Sequence, residues 1–217
     1  MAAGTIPGMR IGVIDVGNTR SKRAVFEGGR IRPFQGKIDA WVGCRVGRSA
    51  LPPGTLELGK DFPSLVRNLA RHPKTVGPDR LAQASAAWVR SGRKACVVVS
   101  MGTAITVDVV NSKGEFLGGL IAPGLRVMAR ALHRETARLP EVEPVRKRSP
   151  LGRHTREAIQ CGISYAAEGL IRSATAGRPG RVFGTGGDAP LFRDLFDEWV
   201  PALALEGVAL SYLCSRR

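Results

Sequence analysis

"RIGVIDVGNTRSKRAVFEGGRI", residues 10–31, opens with an apolar run that stops at Asp15 and passes through Gly17, Asn18 and Thr19 into a second run closed by Gly28-Gly29. That pattern is a β-hairpin: a strand, a turn at Gly17-Asn18, and a returning strand. Residues 94–124, "KACVVVSMGTAITVDVVNSKGEFLGGLIAPG", repeat it. With Asp15 set against Ser100, Ile14 meets Val99, Gly17 meets Gly102, Asn18 meets Thr103 and Ser21 meets Thr106. A strand-turn-strand unit recurring at a fixed offset marks a duplicated domain. The expected fold class is therefore α/β, with mixed sheets flanked by helices in each half. The halves are expected at residues 9–92 and 93–217.

Composition bounds the function. The chain has 217 residues, 43% of them hydrophobic, enough for one large domain or two small ones with a real core. No apolar run approaches the ~20 residues of a membrane span. "MAAGTIPGMR" lacks the apolar core of a signal peptide, and Met9 is as good a start as Met1. Cys44, Cys96, Cys161 and Cys214 are widely scattered, without zinc or redox spacing, which points to structural cysteines in a reducing cytoplasm. The net charge is +15, with basic residues densest from Arg126 to Arg156. No zinc finger or aromatic RNA-binding motif accompanies them, so a nucleic-acid role is not expected; the charge fits a small anionic ligand or merely an arginine-rich proteome.

Between the hairpins, residues 36–59 are rich in Gly and Pro and give weak signals. A helix is expected from about Pro63 to Arg71. "HPKTVGPDR" reads as a loop, followed by a helix through "RLAQASAAWVRSG". "GLRVMARALHRETARLP" reads as a helix with Leu125, Met128, Leu132 and Leu139 on its apolar face. Arg126, Arg130, Arg134 and Arg138 form a second row, best read as a solvated face. "EVEPVRKRSPLGRH" is expected to be a linker or mobile loop, with Thr155 capping the helix "REAIQCGISYAAEGLIRSAT". That helix carries Gly162, Ala166, Ala167 and Gly169, small enough for close packing between subunits. "RVFGTGGDAPLF" is a strand, a glycine turn and a helix.

Glycine turns let backbone N–H groups approach a phosphate chain, and hydroxyl and amide side chains add donors. "DVGNT" and "MGTAIT" both fit, and Asp15 supplies the hard oxygen that Mg²⁺ takes directly or through water. The alternative for either hairpin alone is an ordinary type I′ turn with nothing bound. "FGTGGDAP" adds a third glycine turn for a nucleobase or ribose. Asp79 and Arg80, in "VGPDR", could take a hydroxyl proton and hold an anion, or merely cap the helix that follows as a surface pair.

The ordered set "DVGNT", "VGPDR", "GTAITVD", "GGLIAPG", "ALHRETARLP" and "TREAIQCGISYAAEGLI" resembles the type III pantothenate kinases, from Arg10 to Gly207. The resemblance implies ribonuclease H-like domains of the actin-like ATPase kind. It also implies ATP-dependent phosphorylation of pantothenate to 4′-phosphopantothenate and a homodimer with acceptor sites at the subunit interface. It assigns Asp15 to Mg²⁺, and Gly17, Asn18, Thr19, Gly102, Thr103 and Thr106 to phosphate. Asp79 becomes the general base, with Gly77, Arg80 and Thr155 lining the pantothenate pocket and Gly186 and Gly187 bordering the adenosine. Ser100 stands where the family commonly carries an aspartate for a monovalent cation, K⁺ or NH₄⁺. The segment before "VGPDR" is shorter than the family's and lacks its Ser-Ser-Val stretch, and "NLARHP" lacks its aromatic residue. The alternatives are a regulatory relative of the same fold, or a kinase of another small hydroxy acid.

Overall fold

Ile11, Val13, Ile14 and Val16 are all buried, so this stretch needs cover on both faces, as a central strand has. The computed structural model describes residues 9–149 and 151–216, and places that run as β1 (Ile11–Val16). The start residues Met1 to Gly8 and Pro150 of the expected linker lie outside the described residues. β2 (Ser21–Glu27) returns antiparallel, with Val16 opposite Ser21 and Asp15 opposite Lys22. Gly28 and Gly29 both take positive φ, the two-residue hairpin turn their sequence demands, and lead into a third strand, β3 (Arg30–Arg32). β4 (Ala40–Arg45) lies parallel to β1 on its other side. With β5 (Leu56–Glu57) the sheet order is β3-β2-β1-β4-β5.

The helix expected over Pro63–Arg71 is not formed. Ser211 and Ser85 accept from the N–H groups of Leu65 and Val66, at 3.1 and 3.4 Å. Arg67 and Leu69 donate to Gly114 and Phe116, at 2.8 and 2.9 Å. With those donors committed to distant partners no helical ladder can close, and β6 (Arg67–Asn68) runs parallel to a later strand. A short 3₁₀ turn at Pro73–Thr75 precedes α1 (Pro78–Arg90). Gly77 is extended, as a residue before proline should be, and Pro78 opens the helix. Asp79 and Arg80 therefore sit in the first turn of a helix, not on the expected loop.

The second hairpin is β7 (Cys96–Met101) and β8 (Ala104–Val110), continued by β9 (Glu115–Pro123). β7 repeats the burial pattern of β1 residue for residue, with Ser100 half-buried at the position of Asp15. α2 (Leu125–Glu135) buries Leu125 and Ala129 and ends five residues before the expected stop, where the Thr136 hydroxyl bonds back to Leu132 O at 2.7 Å. Leu132 is exposed, and so are Arg126, Arg130, Arg134 and Arg138, the solvated row expected. His154, not Thr155, caps α3 (Thr155–Thr175), through a ring nitrogen 3.5 Å from Glu157 N. β10 (Arg181–Thr185), a kinked 3₁₀ stretch from Ala189 to Leu195, β11 (Glu198–Trp199) and α4 (Leu203–Ser215) complete the chain. The second sheet has the order β11-β10-β7-β8-β9-β6.

Two compact units result. One comprises residues 9–96, 108–118 and 202–216, the other residues 97–107 and 119–201. In the first, α4 is apolar all round and packs on α1 and on β1, β2 and β4. In the second, Val97, Val99, Met101, Leu125, Ile163 and Phe192 belong to one core cluster. Cys44, Cys96 and Cys161 are buried and Cys214 is exposed, and none forms a disulfide. No helix among the described residues is long and apolar enough to cross a membrane.

The expected linker is instead pinned at Arg146, whose side chain is only 7% exposed. Its guanidinium reaches Glu168 at 2.8 Å, Asp194 and Leu191 O, and lies 4.7 Å from the Phe192 ring centre. Hydrogen bonding to Arg146 holds both carboxyls below their ordinary range. Carboxyls depressed in the folded state contribute stability above their unfolded values and lose it as pH falls through the depressed ones. Arg146→Met should therefore cost about 1–3 kcal/mol at neutral pH and less in acid. Thermal melts of both proteins between neutral and acid pH check this; a cost independent of pH would remove the ionic argument.

Candidate active site

Asp15 is the one half-buried residue of β1, at a point where three chain segments converge. Across the first sheet, Lys22 on β2 and Cys44 on β4 are its ladder partners, so all three side chains project from one face. Cys44 Sγ lies 3.5 Å from Asp15 Oδ1. Past β1 the chain turns through residues 17–20, held by Gly17 N donating to Arg20 O at 3.1 Å. Neither Gly17 nor Asn18 takes the positive φ that a type I′ turn needs, so the ordinary-hairpin alternative does not describe this turn. The segment after β4 lies directly upon it. Val46 and Gly47 both donate to Val16 O at 3.0 Å, and a side chain at Gly47 would overlap Gly17 O.

The third segment is the start of α1. A Cβ at Gly77 would press on the Asp79 carboxylate and stand 3.3 Å from Val46. Burial raises the Asp79 carboxyl above the ordinary aspartate value of 3.8, against the pull of the Arg80 N–H, the Arg80 charge and its own N–H. Burial also raises Asp15, helped by the charge of Asp79 and opposed by Lys22 and the Cys44 hydrogen bond. Burial first, then Asp15 and Asp79, pushes the Cys44 thiol well up, so it stays a proton donor. Two half-buried carboxylates, one of which raises the other, form a site whose charge a divalent cation would offset. Among the described residues no group of three or more His, Cys, Asp or Glu is placed to hold a metal. Mg²⁺ takes one or two carboxylates and fills its shell with water and phosphate, a need that Asp15 could meet.

Arg80 forms no surface pair with Asp79. Its Nε stands 3.1 Å from both oxygens of Asp108 and its Nη2 bonds one of them, and Asp108 is fully buried. Asp108 therefore holds Arg80 in place at the first turn of α1.

In the second unit three glycine-bearing turns meet backbone to backbone. Gly102 N donates to Ala104 O at 3.0 Å, and Gly124 N to Thr103 O at 2.9 Å. A side chain at Gly124 would overlap Gly102 O. Gly186 has φ +95° and no room for a Cβ beside Met101 O, to which Asp188 N donates at 3.1 Å. Thr103 and Gly187 are exposed there, and nothing lies within 4 Å of where a Gly187 Cβ would be. Thr106 Oγ1 is buried without a hydrogen-bond partner among the described residues. A buried hydroxyl left that way calls for a ligand or a water. Thr155 is the first residue of α3 and exposed; no hydrogen bond among the described residues joins it to these turns.

Two features of the site escaped the sequence reading. "WVGCRVG" carries the signal of a strand running into a glycine turn, but nothing in it says that Cys44 would stand beside Asp15. Lys22 is findable from the hairpin register alone, since Val16 opposite Ser21 sets Asp15 opposite Lys22.

Residues 55–176 match the family model described as type III pantothenate kinase. The chain is 41% identical over 157 residues to the type III pantothenate kinase of Saccharopolyspora erythraea, covering 66% of this chain and 59% of that one. With that of Dehalococcoides mccartyi it shares 36% over 166 residues, 72% of this chain and 63% of the relative. The chain thus spans about three-fifths of the length of the curated relatives it matches. Among solved structures, a Baf family transcriptional activator from Campylobacter jejuni superposes with a TM-score of 0.65 at 21% identity, covering 91% of this chain and 95% of that one. The component A of (R)-2-hydroxyglutaryl-CoA dehydratase from Acidaminococcus fermentans gives 0.52 at 16% identity, covering 96% and 98%. At such identities the likeness is one of fold.

Proposed function

The chain belongs to the type III pantothenate kinase family, and from that membership we propose that it transfers the γ-phosphoryl group of ATP to the hydroxyl of pantothenate, yielding 4′-phosphopantothenate and ADP at the first committed step toward coenzyme A. The observation that carries the proposal is the pair of half-buried carboxylates of Asp15 and Asp79, both raised chiefly by burial and Asp15 further by the charge of Asp79, each set where glycine keeps the backbone close. Asp79 accepts the hydroxyl proton as the oxygen bonds to the γ-phosphorus and the bond to ADP breaks. Asp15 holds Mg²⁺, directly or through a water; bound there, the ion would offset charge on the phosphoryl oxygens.

Gly17, Asn18 and Thr19 on one turn and Gly102, Thr103 and Thr106 on the other hold phosphate, and the Thr106 hydroxyl, buried with no hydrogen-bond partner among the described residues, supports that assignment. Gly186 and Gly187 border the adenosine. Gly77 and Arg80 line the pantothenate pocket, joined by Thr155 of a second copy in a homodimer. The exposed row of Gly162, Ala166 and Gly169 on α3 suits such packing, and sedimentation showing a fully active monomer would remove it. Free cysteines without disulfides suit a cytoplasmic enzyme.

A coupled ADP-release assay with and without pantothenate tests the reaction. ADP release should require both pantothenate and Mg²⁺. Ser100 offers a neutral hydroxyl, which cannot offset a cation's lost hydration as a carboxylate does, so K⁺ or NH₄⁺ should add little. Activation of about tenfold or more by K⁺ in a sodium- and ammonium-free assay would overturn that reading of Ser100. No ADP release with pantothenate or other hydroxy acids would favour a regulatory relative.

A further inference from the structure

Cys44 is fully buried, yet its sulfur is spent on neither a disulfide nor a core of purely apolar neighbours. It is the parallel-ladder partner of Asp15 and stands with Sγ 3.5 Å from Oδ1. A carboxylate at the end of a strand turns easily about its last torsion, whose energy wells are broad. A hydrogen bond to one of its two oxygens restricts that freedom. On the opposite side the ladder partner is Lys22, whose side chain is exposed and makes no ion pair with Asp15 within 4 Å. The fixed neighbour of Asp15 is thus the thiol.

We propose that Cys44 is a positioning residue for Asp15: its thiol donates to Oδ1, so that Oδ2 is the oxygen presented to the metal or to its water. This rests on the metal role given to Asp15 above. A thiol suits the task because it is a neutral donor. It orients the carboxylate without cancelling its charge, where a lysine or arginine would compete with the divalent ion for it. The tight seating of Val46 and Gly47 on the Gly17 turn fixes the end of β4, and with it the position of Cys44. Partners that orient a metal's ligands typically govern affinity by about 10–100-fold, and a weak donor belongs at the lower end.

The test uses the full chain with Cys44→Ala and Cys44→Ser. Mn²⁺ binding in the presence of a non-hydrolysable ATP analogue is read by electron paramagnetic resonance, beside a Mg²⁺ titration of ADP release and a thermal melt. Cys44→Ala should weaken Mn²⁺ binding about tenfold and raise the Mg²⁺ requirement equally, with kcat at saturating metal within about threefold of wild type. Cys44→Ser, which restores a donor, should recover Mn²⁺ affinity to within about threefold. Unchanged Mn²⁺ affinity in Cys44→Ala would overturn the proposal. So would a serine variant as weak as the alanine one, which would trace the loss to volume rather than donation. If the wild type released ADP and bound Mn²⁺ normally in these outcomes, only the role of Cys44 would fall. A wild type that neither binds Mn²⁺ with nucleotide nor releases ADP would overturn the Asp15 reading, and this one with it.

Discussion

Asp79→Asn should lower pantothenate turnover at least about a hundredfold, the usual worth of a positioned base, without unfolding the protein. The amide keeps the shape of the side chain and its contact with Gly77 but cannot take the hydroxyl proton. The stability half of the expectation follows from the carboxyl's environment. Burial is the largest influence on Asp79, and it outweighs the helix N–H groups and the Arg80 charge that favour ionisation. The folded protein therefore binds this proton more tightly than the unfolded chain, and stability falls as pH rises from the unfolded value toward the raised one. At neutral pH the wild type carries that penalty and the asparagine variant does not, so the variant should melt no lower. A surface aspartate serving only as a helix cap would behave oppositely, losing about 0.5–2 kcal/mol on substitution. The same shift predicts that kcat/KM declines with falling pH through a value above 3.8, as Asp79 takes up its proton. Turnover near wild type in Asp79→Asn would remove Asp79 from the role of base.

The site was legible where its signals are local. Both hairpins could be read because a strand, a two-residue turn signal and a returning strand lie within about thirty residues, and the repeat reinforced each copy. The matching burial of β1 and β7 follows from that same pattern. Pairing between distant segments was not legible. Residues 63–71 look helical in isolation, but the hydroxyls of Ser85 and Ser211 and the carbonyl of Gly114 take their N–H groups. Cys44 meets Asp15 through a parallel ladder, which has no connecting turn to reveal its register. Arg146 looks like one more basic residue in a charged linker until Glu168 and Asp194, on two later elements, close around it. His154 capped α3 in place of Thr155, a one-residue shift that element boundaries commonly show.

Gly207→Val should destabilise the unit that carries Asp79 by about 3 kcal/mol or more, lowering its thermal midpoint by roughly 6–12 °C. Gly207 lies in α4, where a Cβ would overlap the carbonyl oxygen of Ala82 on α1. The obstacle is backbone, so no rotamer change or trimming of a neighbour relieves it; the two helices must part. Parting them also strains the Arg90–Glu206 pair, in which Nε lies 3.0 Å from both carboxylate oxygens and Nη2 2.8 Å from one. Glu206 is largely buried there, and a carboxylate left without its arginine in such a place is costly. The expected loss is therefore larger than a methyl group's worth of overpacking. It should also reach the chemistry. α1 begins at Pro78 and Asp79, so a helix displaced from α4 carries Asp79 with it. Turnover should fall with stability in Gly207→Val, whereas Asp79→Asn should lower turnover without lowering stability. Residues 203–215 lie beyond the family-model match, which ends at 176, yet their packing on α1 makes them part of what holds Asp79. A Gly207→Val protein that melts within about 2 °C of wild type would show that α4 is not seated on α1.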